Sequence, residues 1–159
     1  NISSYDLTKI NKDNFILIKN ALYNNDNKQL KFFAPKNKNH VSYSIGDWQN
    51  DYKKTSDFIK VNTITIKSIL KQYDIQDLEI LKLDIEGAEV EVIKNILSEK
   101  IFPNQILVEF DELNKINELA ISRFEEVHQL LLSKNYKLIK TTNNFPDFLY
   151  SRSIDSIKY

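Results

Sequence analysis

The sequence predicts an α/β domain: a mostly parallel sheet flanked by helices on both faces, with an antiparallel hairpin at one edge. Three observations carry this. Short apolar runs (Phe58–Val61, Leu78–Asp84, Ile106–Phe110) alternate with segments whose apolar residues recur at helical spacing, the pattern of βαβ units. The last two apolar runs, Tyr136–Lys140 and Asp147–Ser151, are joined by an Asn-Asn-Phe-Pro turn, too short for anything but an antiparallel pair. No repeat, linker or low-complexity tract interrupts the 159 residues, so residues 1–159 read as one domain.

The elements follow in chain order. Tyr5 to Asn14 is polar with Leu7 and Ile10, and reads as the end of a helix. Phe15-Ile16-Leu17-Ile18 is a continuous apolar run, as expected of a buried strand. Asn24-Asn25-Asp26-Asn27 is dense in turn formers, and Leu30-Lys31-Phe32-Phe33 reads as a strand returning from that turn. Ala34 to Ser56 shows no periodicity, and a loop of that length in a compact domain is usually functional. Thr65 precedes Ile66, Ile69, Leu70 and Tyr73, an i, i+3, i+4, i+7 stripe with a threonine cap. Ile85, Glu86 and Gly87 form a turn into a second helix with the stripe Ala88, Val92, Ile93, Ile96 and Leu97. After Pro103 and the strand at 106–110 comes a longer helix, with Ile116, Ala120, Phe124, Val127 and Leu131 toward the core.

Composition removes several functions. The chain carries 22 Lys+Arg and 22 Asp+Glu, so it has no basic excess to suit nucleic acid or an anionic membrane as a partner. No apolar stretch reaches the roughly 18 residues of a membrane span. With no cysteine there is no disulfide, thiolate nucleophile, zinc knuckle or iron–sulfur cluster. Glycine occurs only at Gly46 and Gly87, so neither a phosphate-cradling loop nor a dinucleotide fingerprint can be built. Methionine is absent, even at position 1, so the chain reads as processed or as part of a larger parent chain.

Ligands of parallel sheets bind outside the carboxyl ends of the strands. Polar residues follow apolar runs at Asn20, at Asp84 and Glu86, and at Glu109 and Asp111. Leu81-Lys82-Leu83-Asp84-Ile85-Glu86-Gly87-Ala88-Glu89 places three carboxylates where a strand stops and a helix starts. Acids in a first helical turn are favoured by the helix dipole, so Glu86 and Glu89 can be read either as caps or as functional groups. An acid ending a buried strand is costly unless paired or bound, which makes Asp84 the stronger functional candidate. His128 falls on the flank of the last helix. His40, in the irregular segment with Tyr43 and Trp48, is a candidate base if that segment folds over a substrate.

The segment from Val61-Asn62 to Asn95, with its threonine-led helix and LKLDIEGAEVEVIKN, resembles the C-terminal half of FkbM-type, S-adenosylmethionine-dependent methyltransferases. ILVEFDE at Ile106–Glu112 resembles that family's next strand, and KINKDNFILIKNALYNNDNKQLKFF resembles the segment after its second strand. The resemblance implies a class I methyltransferase-like (Rossmann-like) sheet lacking its first strands, because the family's first strand, glycine-containing loop and second strand have no counterpart here. It also implies an O-methyltransferase acting on a hydroxyl of a small molecule or glycan in the cytoplasm, with S-adenosylmethionine as cofactor. Asn20 and Ala21 would meet the adenine ring. Asp84 would lie beside the transferred methyl group, where it could bind the cofactor, accept a proton or ligate a divalent metal, with Glu86 and Glu109 completing the cluster. Oxygen ligands of this kind would suit Mg²⁺ or Mn²⁺. Two other readings stay open: a catalytically incomplete methyltransferase-like binding module, which would cover its open sheet edge with a homo-oligomer partner or another domain, and a methyltransferase domain attached to a glycosyltransferase.

Overall fold

The computed structural model describes residues 15–37, 39–48, 52, 56–141 and 147–152. The helix end expected at Tyr5–Asn14 and the Asn-Asn-Phe-Pro turn lie outside the described residues. The chain is mixed α/β. Strands β1 (Ala21–Leu22), β2 (Gln29–Phe33) and β3 (Phe58–Ile64) form a sheet in the order β1-β3-β2, with β1 parallel and β2 antiparallel to β3. Strands β4 (Ile80–Leu83), β5 (Gln105–Glu109), β6 (Tyr136–Thr141) and β7 (Asp147–Arg152) form a second sheet in the order β4-β5-β7-β6. In that sheet β4 runs parallel to β5, and β7 is antiparallel to both β5 and β6.

The helices start where the sequence can cap them. Thr65 Oγ1 accepts from Ser68 N at the head of α1 (Ile66–Gln72), and Asn117 Oδ1 accepts from Ala120 N at the head of α3 (Glu118–Ser133). Helix α2 (Glu89–Ser98) connects β4 to β5 and buries Val90, Val92, Ile93, Ile96 and Leu97. Burial alternates along β4, β5 and β7, so Leu81, Leu83, Ile106, Val108, Phe148 and Tyr150 point into one core while Ile80 and Lys82 face out. Leu83, Ile93, Ile96 and Ile106 are fully buried, each side chain contributing about 1.5–3 kcal/mol. Phe110 closes the carboxyl end of β5 through edge-on contacts with Phe124 and Phe148, at 5.1 and 5.3 Å between ring centres.

Four expectations need correction. Phe15–Ile18 is not a strand: Phe15, Ile16 and Leu17 are about half exposed, and the backbone that pairs with Thr63 and Ile64 is Ala21–Leu22. An apolar run becomes a strand only where a neighbour offers hydrogen bonds. The sheets are not mostly parallel, since three of the five strand pairings among the described residues are antiparallel. The cause is local: the chain after β2 returns through the irregular segment and lays Val61 against Leu30. Helices were expected on both faces; among the described residues the alternation in β4, β5 and β7 is that of a sheet packed on one face, with α2 against both α1 and α3. Ile116 is 69% exposed, because a 3₁₀ turn at Asp111–Lys115 delays α3 until Glu118. Among the described residues no helix is long and apolar enough to cross a membrane.

Candidate active site

The turn between β4 and α2 carries two adjacent residues of positive φ. Glu86 has φ +60° and Gly87 φ +102°, two left-handed residues in a row, of which only glycine adopts that region without steric cost. Three sets of hydrogen bonds hold the turn. The buried Glu89 carboxylate accepts from Ile85 N at 2.8 Å and from Gly87 N at 3.0 Å. The Glu86 carbonyl accepts from Ser44 Oγ at 2.6 Å and from Ile45 N at 3.2 Å, and Gly46 N donates back to Ser44 Oγ at 3.0 Å. The irregular segment therefore folds onto the turn and is clamped there.

Beside the clamped turn lies an open cleft of about 370 Å³. Asn20, Ala21, Phe32, Tyr43, Ile59, Ile85 and Glu86 are among the residues that line it. Glu86 is half-buried and its carboxyl is raised above the ordinary value, chiefly by burial and then by the nearby Asp111, Asp84 and Glu109 charges, against a hydrogen bond from Ser42 that lowers it. A carboxyl poised in this way can hold or take a proton nearer neutrality than a solvated one.

The structure thus unites Asn20, Ala21 and Glu86 in one cavity and leaves the other candidates elsewhere. Asp84 points outward: its side chain is 47% exposed and lies 3.4 Å from Lys82 Nζ. The desolvation cost expected for an acid ending a buried strand does not arise, because the strand's last buried residue is Leu83. Glu109 lines a separate, mainly apolar cavity of about 310 Å³ with Lys82, Lys140 and Asp147. Its carboxyl is raised by burial and by Asp84, Asp147 and Asp111. His40 is exposed, its backbone N–H donating to Asn37 O, and it lines neither cavity. His128 Nδ1 meets the buried Tyr150 hydroxyl at 2.8 Å and its ring stacks on Phe124, a packing role. Among the described residues no three His, Cys, Asp or Glu side chains are arranged to hold a metal ion, so the acidic cluster does not fit the divalent cation considered from sequence.

Sequence reasoning left Glu89 open between cap and function; in the structure α2 has no side-chain cap, and Glu89, its first residue, reaches back to the N–H groups of Ile85 and Gly87 in the preceding turn. Its side chain is fully buried, and burial pushes its pKa up to about 8 despite the backbone N–H groups that favour the charged form. Reasoning from sequence missed Arg123 altogether. Its guanidinium donates to the buried Glu112 at 3.1 Å and to Glu91 at 3.4 Å, and it sits 5.9 Å from the Trp48 ring centre. The i, i+11 spacing of Glu112 and Arg123 across a turn and a helix offered no periodic signal.

Compared with known proteins, residues 3–138 match a family model described as the methyltransferase FkbM domain. No curated protein and no solved structure matches the chain.

Proposed function

Since this chain belongs to the FkbM methyltransferase family, we propose that it is an S-adenosylmethionine-dependent O-methyltransferase acting on a hydroxyl of a small molecule or glycan. The observation that carries the proposal is the meeting of Asn20, Ala21 and the half-buried Glu86 in one cavity at the end of β4.

These residues fit an adenosyl group by their chemistry. Ala21 leaves room for a planar ring between the apolar walls of Phe32 and Ile59, while the Asn20 amide can both donate to and accept from a heterocycle edge. Asp84, Glu86, Glu109 and Asp111 interact as one acidic group around the turn, a favourable surrounding for a sulfonium cation. When bound, S-adenosylmethionine supplies an electrophilic methyl group. Glu86 accepts the proton of the attacking hydroxyl, and the raised carboxyl suits it to that exchange near neutral pH. Ser44 and Ile45 hold the Glu86 backbone and Ser42 hydrogen-bonds its carboxyl, which together orient the side chain. Asp84 acts through its charge, helping to hold the Glu86 pKa up. The remaining rate enhancement would come from orientation in the cavity.

Methyl transfer from labelled S-adenosylmethionine, assayed with the full-length protein against a panel of hydroxylated acceptors, tests the reading. Transfer to at least one hydroxyl, lost in Glu86→Gln, is expected. Absence of cofactor binding would leave the binding-module reading in its place.

A further inference from the structure

The Glu86 carboxyl does not stand alone at the cleft. Phe33 and Ser44 exchange backbone hydrogen bonds of 2.9 and 3.1 Å, so the irregular segment bridges to β2 as it passes the turn after β4. Residues two apart on an extended chain face the same way. Ser42 and Ser44 both turn to Glu86, Ser44 donating to its carbonyl and Ser42 to its carboxyl. Ser42 Oγ also lies 2.9 Å from the hydroxyl of Tyr52, a residue with no exposed surface.

Proton counting gives this chain of hydroxyls a direction. A serine hydroxyl has one proton and two lone pairs. Given to Glu86, the Ser42 proton is not available to Tyr52, so the Tyr52 hydroxyl donates to Ser42 Oγ. A buried phenol hydroxyl must find a partner, and this one finds it in the group that touches Glu86. A hydroxyl that accepts one hydrogen bond is polarised and gives a stronger one. The bond from Tyr52 also fixes which way the Ser42 proton turns.

The charges around the carboxyl act in the opposite sense. Asp84 follows β4, and Glu109 and Asp111 stand at the end of β5. Burial first, then Asp111, Asp84 and Glu109, raise the Glu86 carboxyl, while the hydrogen bond from Ser42 lowers it. Lys82 is engaged with Asp84 at 3.4 Å.

We infer that Tyr52 is a positioning residue: through Ser42 it aims one proton at the Glu86 carboxyl, holding that group in one orientation against the repulsion of its acidic neighbours. The inference deepens the methyltransferase reading and rests on it only for the use made of the carboxyl.

Glu86 can be followed directly. The full-length protein, ¹³C-labelled at its glutamate side-chain carboxyls, is titrated by NMR, and the Glu86 resonance is identified by its loss in Glu86→Gln. Tyr52→Phe removes one oxygen and keeps the ring; it should make Glu86 a weaker acid by about twofold or more, and Ser42→Ala by about threefold or more. Ser42→Thr, which keeps a hydroxyl, should restore the parent titration, and Asp84→Asn should move it the other way. In Ser42→Ala, adding Tyr52→Phe should change nothing further, because the link is already cut. A purely structural role would lower melting temperatures and leave this titration in place. A Glu86 midpoint unmoved or lowered in Tyr52→Phe, or unmoved in Ser42→Ala, would overturn the inference. Calorimetry with S-adenosylmethionine, run in parallel, keeps the two failures apart. Cofactor binding with an unmoved Glu86 sinks only the positioning role, and a moved Glu86 without cofactor binding sinks only the methyltransferase reading.

Discussion

Gly87 rests on Gly46: a methyl group placed at Gly87 would sit 3.3 Å from the Gly46 nitrogen and 3.4 Å from Ser44 Oγ, in a residue whose φ is +102°. This contact joins the irregular segment after β2 to the turn after β4. Gly87→Ala must carry the strain of a left-handed alanine and push the segment away. It should lose about 1–3 kcal/mol of stability, read as a lower denaturant midpoint. Gly46→Ala should displace the indole and shift Trp48 emission to the red. A Gly87→Ala protein as stable as the parent would mean that the contact is incidental.

A second prediction concerns pH. The Glu89 carboxyl has its ordinary value near 4.5 when unfolded and about 8 when folded. Between those values the folded state holds a proton that the unfolded state has lost, so stability falls as pH rises through this window and is level above it. Glu86, Glu109 and Glu112 are raised as well and add to the slope. Glu89→Gln removes one titration, so thermal unfolding followed from pH 5 to 8 should show a shallower decline than in the parent. An unchanged slope would place the proton elsewhere.

Arg123 supports a buried acid. Glu112 is fully buried, and its charge is met by Arg123, whose own side chain is only a quarter exposed. Arg123→Met leaves that carboxylate uncompensated, a loss of about 3 kcal/mol given partial solvent screening. Adding Glu112→Gln to it should restore part of the loss. A double variant no more stable than the single one would show that packing of the arginine stem, not its charge, was at stake.

Catalysis should separate the acids. Glu86→Gln keeps the turn's backbone hydrogen bonds, which use the carbonyl and not the side chain. It should therefore melt no lower than the parent while losing about 10²–10⁴-fold in kcat. Asp84→Asn, at an exposed position beside Lys82, should cost far less and move the pH profile of kcat to lower pH as the Glu86 carboxyl is relieved of a neighbouring charge. Equal losses in the two variants would return Asp84 to the centre of the reaction.

Much of this architecture is legible from the chain. Thr65 ahead of Ile66, Ile69 and Leu70, and the stripe from Ala88 to Leu97, fall where the structure has α1 and α2, because periodicity and caps are local properties. The closing hairpin is legible for the same reason. Phe15–Ile18 misleads because strand formation depends on a partner outside the window. Of the candidate site, Glu86 is reached from its place after a strand, Asn20 from a strand that does not form, and Ala21 from the family resemblance alone, whereas the outward turn of Asp84 is a matter of register: β4 ends its burial alternation at Leu83, and the next residue faces water. Trp48 and Arg123 become neighbours only through tertiary folding, a contact that no spacing encodes.

The central claim is that the cavity of Asn20, Ala21 and Glu86 receives an adenosyl group. Isothermal titration of the full-length protein with S-adenosylmethionine, beside the same titration of Ala21→Phe, tests it most directly. Saturable one-site binding by the parent, abolished in Ala21→Phe at unchanged melting temperature, is the predicted result. No binding by the parent, or equal affinity in both proteins, would contradict it.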